Sequence, residues 1–436
     1  MATTKNSIAY VATQSLPELP APNNTRGPIA WMKQNFFSSI TDTILTLVSV
    51  YVIYSILALL FPWLVTNSVW GAGSLTECRE IAGHGVEGAC FSVVVSRFNQ
   101  LLFGFYPADQ YWRPILTFFM MFVAFAPLLH DNLPRKMLWF TAAFPLLAFW
   151  LLWGGSIWTI LLIVAMVLLA AVVFRLVSKA LTPTFGLFAA LATLLIWVFF
   201  IQSPLSATLA ENADFLSLEP VESSKFGGFL VTFVIGITGI VGSLPLGIML
   251  ALGRKSDMPT VKMLCVGFIE FIRGVPLITL LFVASTLLNY FLPPGTTFDL
   301  ILRVIIMVTL FASAYMAEII RGGLAALPKG QYEAADALGL TYWQATQKIV
   351  LPQALKISIP GIVGTFIGLF KDTTLVSMVS ILDPIGMMQP IRSTPEWNGI
   401  VWELPIFIGA VFFIFCFTMS RYSMYFERKL DTGHRN

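Results

Sequence analysis

The chain has 436 residues, of which 57% are hydrophobic, 14% aromatic and only 11% charged; its net charge is +3 and its mean hydropathy +0.80. That balance excludes a water-soluble globule, in which charged residues make up roughly a quarter. Apolar residues run unbroken for roughly 20 positions at a time rather than alternating in twos, so the spans are helical and a β-barrel is excluded.

Residues 1–35 are polar and Pro-rich, lack the apolar stretch of a cleavable signal, and read as a cytoplasmic tail. The first span is expected at about 43–64 and remains as an anchor. The next segment, 65–112, carries Glu77, Glu80, Glu87 and Asp109 and reads as an outer loop. Cys78 and Cys90 share it, and an oxidising compartment lets them pair. Spans follow at about 114–130, 137–153, 157–174 and 185–203. Trp139, Trp150, Trp153 and Trp158 are expected around Gly154 and Gly155, as an interfacial belt. A second acidic outer segment, 204–226, separates this half from spans at about 228–252, 264–291, 301–320, 357–379 and 400–420. Lys and Arg collect between alternate spans in a pattern that places both termini in the cytoplasm. The domains are then the tail 1–35, a five-span extension 36–225, a five-span core 226–425 and a tail 426–436.

Charges inside spans occur only in the second half, where burying an ion in lipid demands a partner or a job. Glu270 with Arg273 and Glu318 with Arg321 have helical i, i+3 spacing and read as structural ion pairs. Lys371 and Asp372 lean toward substrate handling, because Thr373, Thr374 and Ser377 join them at membrane depth. Gly361, Gly364 and Gly368 just before them are expected to permit close helix approach, as are Gly236, Gly239 and Gly242 in the sixth span. An amino-acid zwitterion needs both its charges matched, so Glu318, Lys371, Asp372, Thr373, Thr374 and Ser377 are the candidate pathway. Cys265 and Cys416 lie in apolar spans and read as packing residues.

Between the eighth and ninth spans, on the Lys/Arg-rich side, stands the polar stretch QYEAADALGLTYWQATQKIVLPQAL, residues 331–355. Helix formers run to Leu338, and Gly339 is placed for a left-handed stop. Thr341 and Gln344 then have capping-box spacing, predicting a second short helix, Tyr342 to Val350, that ends before Pro352. The pair forms a compact cytoplasmic knob with a thin Ala-rich face suited to docking.

Glu333-Ala334-Ala335, Gly339, and then Leu351 and Pro352 resemble the EAA loop (about 328–352) of ABC-importer permeases. FIEFIRGVPLITLL (268–281), AYMAEIIRGGLAALPKGQYEAADALGL (314–340), VLPQALKISIPG (350–361) and LFKDTTLVSMVSI (369–381) are similar to the polar amino-acid branch. The resemblance covers roughly 225–425. The additional N-terminal half and SLPLGIMLALGRKS (243–256) resemble the long M- or C-type subunits of bacterial general L-amino-acid and glutamate/glutamine/aspartate/asparagine importers. Family members often carry Ser where this chain has Thr374; a hydroxyl is kept.

The resemblance implies an all-α protein of about ten transmembrane helices with a five-helix type I importer core in the bacterial inner membrane. It implies a second homologous permease subunit, two ATPase subunits and a periplasmic amino-acid-binding protein as partners. Glu333, Ala334, Ala335, Gly339, Leu351 and Pro352 would couple the spans to an ATPase. ATP-Mg is expected on that ATPase, with no cofactor bound by this chain, because no Gly-Lys pair exists to build a phosphate-binding loop. His84, His130 and His434 are widely separated, no metal or nucleophile constellation is visible, and neither enzyme nor nucleic-acid chemistry is expected. Two other classes fit the apolar pattern. They are an ion-coupled secondary carrier, whose five-plus-five inverted repeat finds no shared motif here, and a membrane sensor or scaffold that keeps the permease core.

Overall fold

The computed structural model describes residues 27–83, 85–130, 132–212, 216–287, 290 and 299–430. His84, Asp214, His434, most of the N-terminal tail and the end of the seventh expected span lie outside the described residues. Among the described residues nine helices are long and apolar enough to cross a membrane. They are Ile40–Thr66, Ala108–Leu129, Arg135–Trp153, Ile157–Ala180, Phe185–Glu211, Gly228–Arg254, Leu300–Ala325, Tyr342–Val379 and Glu403–Leu430. Each covers one of the apolar runs, and the chain is an all-α, multi-pass membrane protein.

The expected seventh span is not one straight helix. Pro259–Gly274 and Leu277–Leu287 meet at a bend of 103°, and counting them together brings the crossings to ten. The cause is Pro276, which lacks an N–H and crowds the residue before it out of helical geometry. Val275 is accordingly extended, at φ −109° and ψ 131°.

The chain forms two compact units, Met1–Val69 with Arg79–Ala89, and Trp70–Cys78 with Cys90–Asn436. In the first, the Ile40–Phe61 helix opens at Ser39, whose hydroxyl accepts from Asp42 N–H (3.1 Å). None of its residues is buried, as befits a helix apolar all round with lipid for a neighbour. Beyond it, Ala89 N–H donates to Trp63 O (2.9 Å) and Val69 N–H to Ala89 O (2.8 Å).

The second unit contains the other spans. Gly228–Arg254 and Leu300–Ala325 lie side by side along most of their length, and glycine allows it: a methyl group on Gly242 would sit 2.8 Å from Thr309 Cγ2, and one on Gly247 2.6 Å from Met316 Cβ. Gly236 and Gly239 meet Phe370 and Leu369 of the Leu351–Asp372 helix, so the packing role expected of Gly236, Gly239 and Gly242 holds. Leu351–Asp372 in turn approaches Leu300–Ala325 through Gly323 and Gly361. Gly364 and Gly368, expected to do the same, face open space within 4 Å.

Within this second unit, the stretch from Phe103 to Phe226 is rooted in the same core. Tyr106, Leu152, Val221 and Phe226 join Val231, Ile235 and Val308 in one buried cluster. Gly104 crosses Gly227 so closely that a methyl group on Gly104 would lie 2.4 Å from Gly227 Cα. Buried Arg113 donates to Glu219 O (2.7 Å), and Tyr106 to Leu152 O (2.9 Å). Of the four tryptophans, Trp150 donates to Gly155 O (3.1 Å) and Trp153 packs on Phe226. Trp139 does not belong to that group. It sits in the first turn of Leu138–Trp153, about 20 Å from Trp153 at 1.5 Å per residue.

Cys78 and Cys90 are disulfide-bonded with Cα atoms 5.8 Å apart. The buried carboxylate of Glu403, at the start of the last core helix, accepts from Cys90 N–H and Trp402 N–H, each at 3.1 Å. Cys265 and Cys416 are free thiols, and Cys265 lies against Gly253.

Candidate functional site

The polar knob is built by its two local signals. Lys329–Ala337 closes with Gly339 N–H donating to Asp336 O (2.9 Å) and Leu340 N–H to Ala335 O (3.2 Å), a Schellman stop. Gly339 takes the left-handed φ of 68° that such a stop requires. Thr341 then caps the next helix: its hydroxyl accepts from Gln344 N–H (3.4 Å) while Gln344 Oε1 accepts from Thr341 N–H (3.0 Å).

The second helix does not end before Pro352 as the sequence suggested. It runs on through a π turn, Thr346–Val350, into Leu351–Asp372. The wider turn shifts the hydrogen-bond register just where Pro352 supplies no donor, and places Pro352 in the first turn of the following helix, where none is needed. Leu351 and Pro352 are therefore the joint between knob and core.

Of the knob residues, Ala335 is fully buried, whereas Glu333 and Ala334 are not. Leu338, Tyr342 and Trp343 are exposed at its tip, at 74%, 58% and 61%. Its base is anchored by Tyr332, which accepts from Lys255 Nζ (2.9 Å) at the end of the first core helix and donates to Leu324 O (3.4 Å). The Lys255 ammonium also stands 4.3 Å from the centre of the Tyr332 ring. Gln353 and Gln331 make a second tie at 3.0 Å.

Beside this base the intramembrane charges converge on Glu318, whose side chain is 15% exposed. Arg254 donates to its Oε1 (2.7 Å), Arg321 to its Oε2 (3.0 Å), and Arg273 lies at 3.6 Å. Arg254 also donates to Glu270 (2.9 Å). The expected Glu318–Arg321 pair is present. Glu270 and Arg273 do not pair with each other; each finds a partner on another helix. Helical spacing permits an i, i+3 pair but does not outrank a cation from a neighbouring chain segment.

One turn along the helix from Glu318, Tyr315 lies under the Arg273 guanidinium, 5.7 Å from ring centre to Cζ. With Phe311, Thr365, Gly368, Leu369 and Asp372 it lines a cleft of about 260 Å³. Asp372 supplies the only carboxylate of that lining and is half-buried; Lys371 beside it is exposed. Thr373, Thr374 and Ser377 do not line the cleft. Their hydroxyls donate to carbonyls three residues back, Phe370 (2.7 Å), Lys371 (2.8 Å) and Thr374 (2.9 Å), in the 3-10 turn that follows the helix. Thr373 is buried against Gly236. The structure thus brings Glu318 together with the arginines, and Asp372 together with aromatic side chains. Phe311, Tyr315, Arg254 and Lys255 were missed by the sequence reading. For the two basic residues the signal was their place at the very end of an apolar run.

Residues 243–431 match the family described as "Binding-protein-dependent transport system inner membrane component". The chain is 54% identical over 440 residues to the glutamate/glutamine/aspartate/asparagine transport system permease protein BztC of Rhodobacter capsulatus, covering 99% of this chain and all of that protein. It is 36% identical to the inner membrane amino-acid ABC transporter permease protein YhdY of Escherichia coli, over 96% of this chain and 97% of that one. A crystal structure of an amino acid ABC transporter with histidines is matched at 30% identity and a TM-score of 0.41, over 45% of this chain and 90% of that one. With near-complete coverage by two such relatives and the knob inside the matched segment, the chain belongs to the amino-acid ABC transporter permeases, inner-membrane components of binding-protein-dependent transport systems.

Proposed function

We propose that this permease carries polar L-amino acids, in the glutamate, glutamine, aspartate and asparagine class, from periplasm to cytoplasm by alternating access driven by ATP. The observation that carries this reading is the knob: a rigid, doubly capped polar hairpin with an exposed apolar tip, joined without a flexible linker to the Leu351–Asp372 helix. An ion-coupled carrier has no use for such an element, and a sensor that keeps it moves no net substrate. Two partner ATPase subunits bind and hydrolyse ATP-Mg, one of them receiving the knob through Glu333, Ala334 and the tip. A second homologous permease subunit and a periplasmic binding protein complete the complex. This chain itself holds no cofactor. The knob side faces the cytoplasm, with both termini, because Lys and Arg concentrate there.

In the cleft, Asp372 meets the substrate ammonium, and Lys371 and Glu318 flank the path. Thr374 and Ser377 stand in the turn just beyond Asp372, outside the cleft lining, and would meet substrate only as it leaves the cleft. Thr373 supports the turn rather than touching substrate. The substrate class is supported by the 54% identical relative, which is named for transport of glutamate, glutamine, aspartate and asparagine.

The test is ATP hydrolysis and radiolabelled uptake by the assembled complex in proteoliposomes, with binding protein loaded with Glu, Gln, Asp, Asn, Arg or His. Gly339→Pro removes the N–H that Asp336 O accepts and forbids the positive φ. Hydrolysis stimulated by loaded binding protein, lost in Gly339→Pro, and uptake reduced by about tenfold or more in Asp372→Asn are expected. Uptake that follows an ion gradient and ignores ATP would overturn the reading.

A further inference from the structure

The end of the first core helix places two adjacent cations on different tasks. Lys255 holds Tyr332 at the base of the knob (2.9 Å), and Arg254 holds Glu318 (2.7 Å) and Glu270 (2.9 Å) beside the cleft. Tyr332 donates to Leu324 O on the helix that carries Glu318, Arg321 and Tyr315. Arg273, the third cation on this network, rests over Tyr315 of the cleft wall. Knob and cleft are therefore linked by side chains as well as by the main chain. The main chain joins them at residues 326–328 and at Leu351 and Pro352; the side-chain route runs from Tyr332 to Lys255, along the backbone to its neighbour Arg254, then to Glu318, with Arg273 between Glu318 and Tyr315.

We infer that Arg254 and Lys255 form a second transmission point, by which movement of the knob shifts the partners of Glu318 and so the cleft. This rests on the ATP-coupled reading above. The physical reason is the sharing of atoms. Arg254 Nη1 serves both Glu270 and Glu318 Oε1, and Arg321 Nε also reaches that Oε1 at 3.2 Å. Displacing the end of the first core helix must lengthen or exchange these bonds, and packed helices that adopt two discrete arrangements carry such a change from one site to another. Three cations face two carboxylates here, so removal of Arg254 leaves Glu318 still held by Arg321 and Arg273. The loss strikes transmission before it strikes folding. Arg254, Lys255 and Tyr332 are positioning residues that touch no substrate.

The experiment compares ATP turnover with and without binding protein loaded with L-glutamate, together with L-glutamate uptake per ATP, in complexes carrying Arg254→Gln, Tyr332→Phe or both. Tyr332→Phe keeps the ring under Lys255 and removes only the hydroxyl, so it remains informative if Arg254→Gln fails to assemble. Each single variant is expected to lower the stimulated-to-basal ratio by about two- to thirtyfold, the range seen for positions along coupled networks. The binding-protein concentration at half-stimulation should stay unchanged. The double variant should fall no further than the worse single one, because both cut one path. An unchanged ratio in Tyr332→Phe, or losses that multiply in the double variant, overturns the inference while leaving the importer reading intact. A wild-type complex without stimulation overturns both.

Discussion

Asp383 lies between the 3-10 turn and the next short helix, outside the spans, and is fully buried. One carboxylate oxygen accepts from Gly386 N–H (2.8 Å); the other has no hydrogen bond among the described residues. Burial pushes its pKa up from 3.8 to about 6, against the pull of the Gly386 and Ile385 N–H groups. A folded pKa above the unfolded one means that the folded chain binds the extra proton. The stabilisation is complete below the ordinary value of 3.8 and is lost as pH rises through about 6. Unfolding temperature of the purified complex should therefore be higher at pH 5 than at pH 7.5, by an amount that corresponds to at most about 1.5 kcal/mol. Asp383→Asn, which keeps the acceptor for Gly386, should flatten that difference, and an equal pH response in both proteins would show that the carboxyl does not titrate there. Nothing in the sequence singled out Asp383, because burial of a loop carboxylate depends on what folds over it.

At the scale of the element, local rules were legible wherever a few neighbouring residues decide the outcome. The stop at Gly339 and the capping box at Thr341 and Gln344 are of that kind. The bend at Val275 and Pro276 was equally local, since Pro forbids the helix there, yet the apolar run on both sides hid it. Helix contacts were only half legible. Gly323 and Gly364 both look like packing glycines, but a methyl group on Gly323 would lie 2.5 Å from Ala354 O, whereas Gly364 meets nothing within 4 Å. Gly323→Ala should destabilise the protein by about 1–3 kcal/mol through overpacking. Gly364→Ala should be neutral or stabilise it by up to about 1 kcal/mol, because alanine costs less in a helix than glycine. Thermal unfolding of the two variants in the same detergent checks this, and the same shift in both would sink the distinction.

For the whole molecule, a boundary drawn near residue 225 separates compositions rather than cores. Tyr106, Leu152, Val221 and Phe226 share one buried cluster with Val231, Ile235 and Val308, and Arg113 and Gln110 close on Glu219 across more than a hundred residues. A chain starting at residue 226 would leave that cluster open along one side, a loss of roughly 1.5–3 kcal/mol for each large apolar side chain exposed. Such a truncation should accumulate in membranes far less than the full chain. Equal yields, with binding-protein-stimulated hydrolysis retained in the complex, would count against this shared core.

The sequence alone determined the class, the spans and the knob, because each follows from composition, from run length against a fixed hydrocarbon thickness, or from residues within one or two turns of each other. Near-complete coverage by two amino-acid transport permeases added the transport role. Which charges meet was decided only by the tertiary structure. Arg254, Glu270, Arg273 and Glu318 come from three helices, and no spacing along the chain fixes a distance between helices. The same holds for the cleft: Asp372 faces Phe311 and Tyr315 because glycines let their helices close to within contact, a geometry that exists only once both are packed.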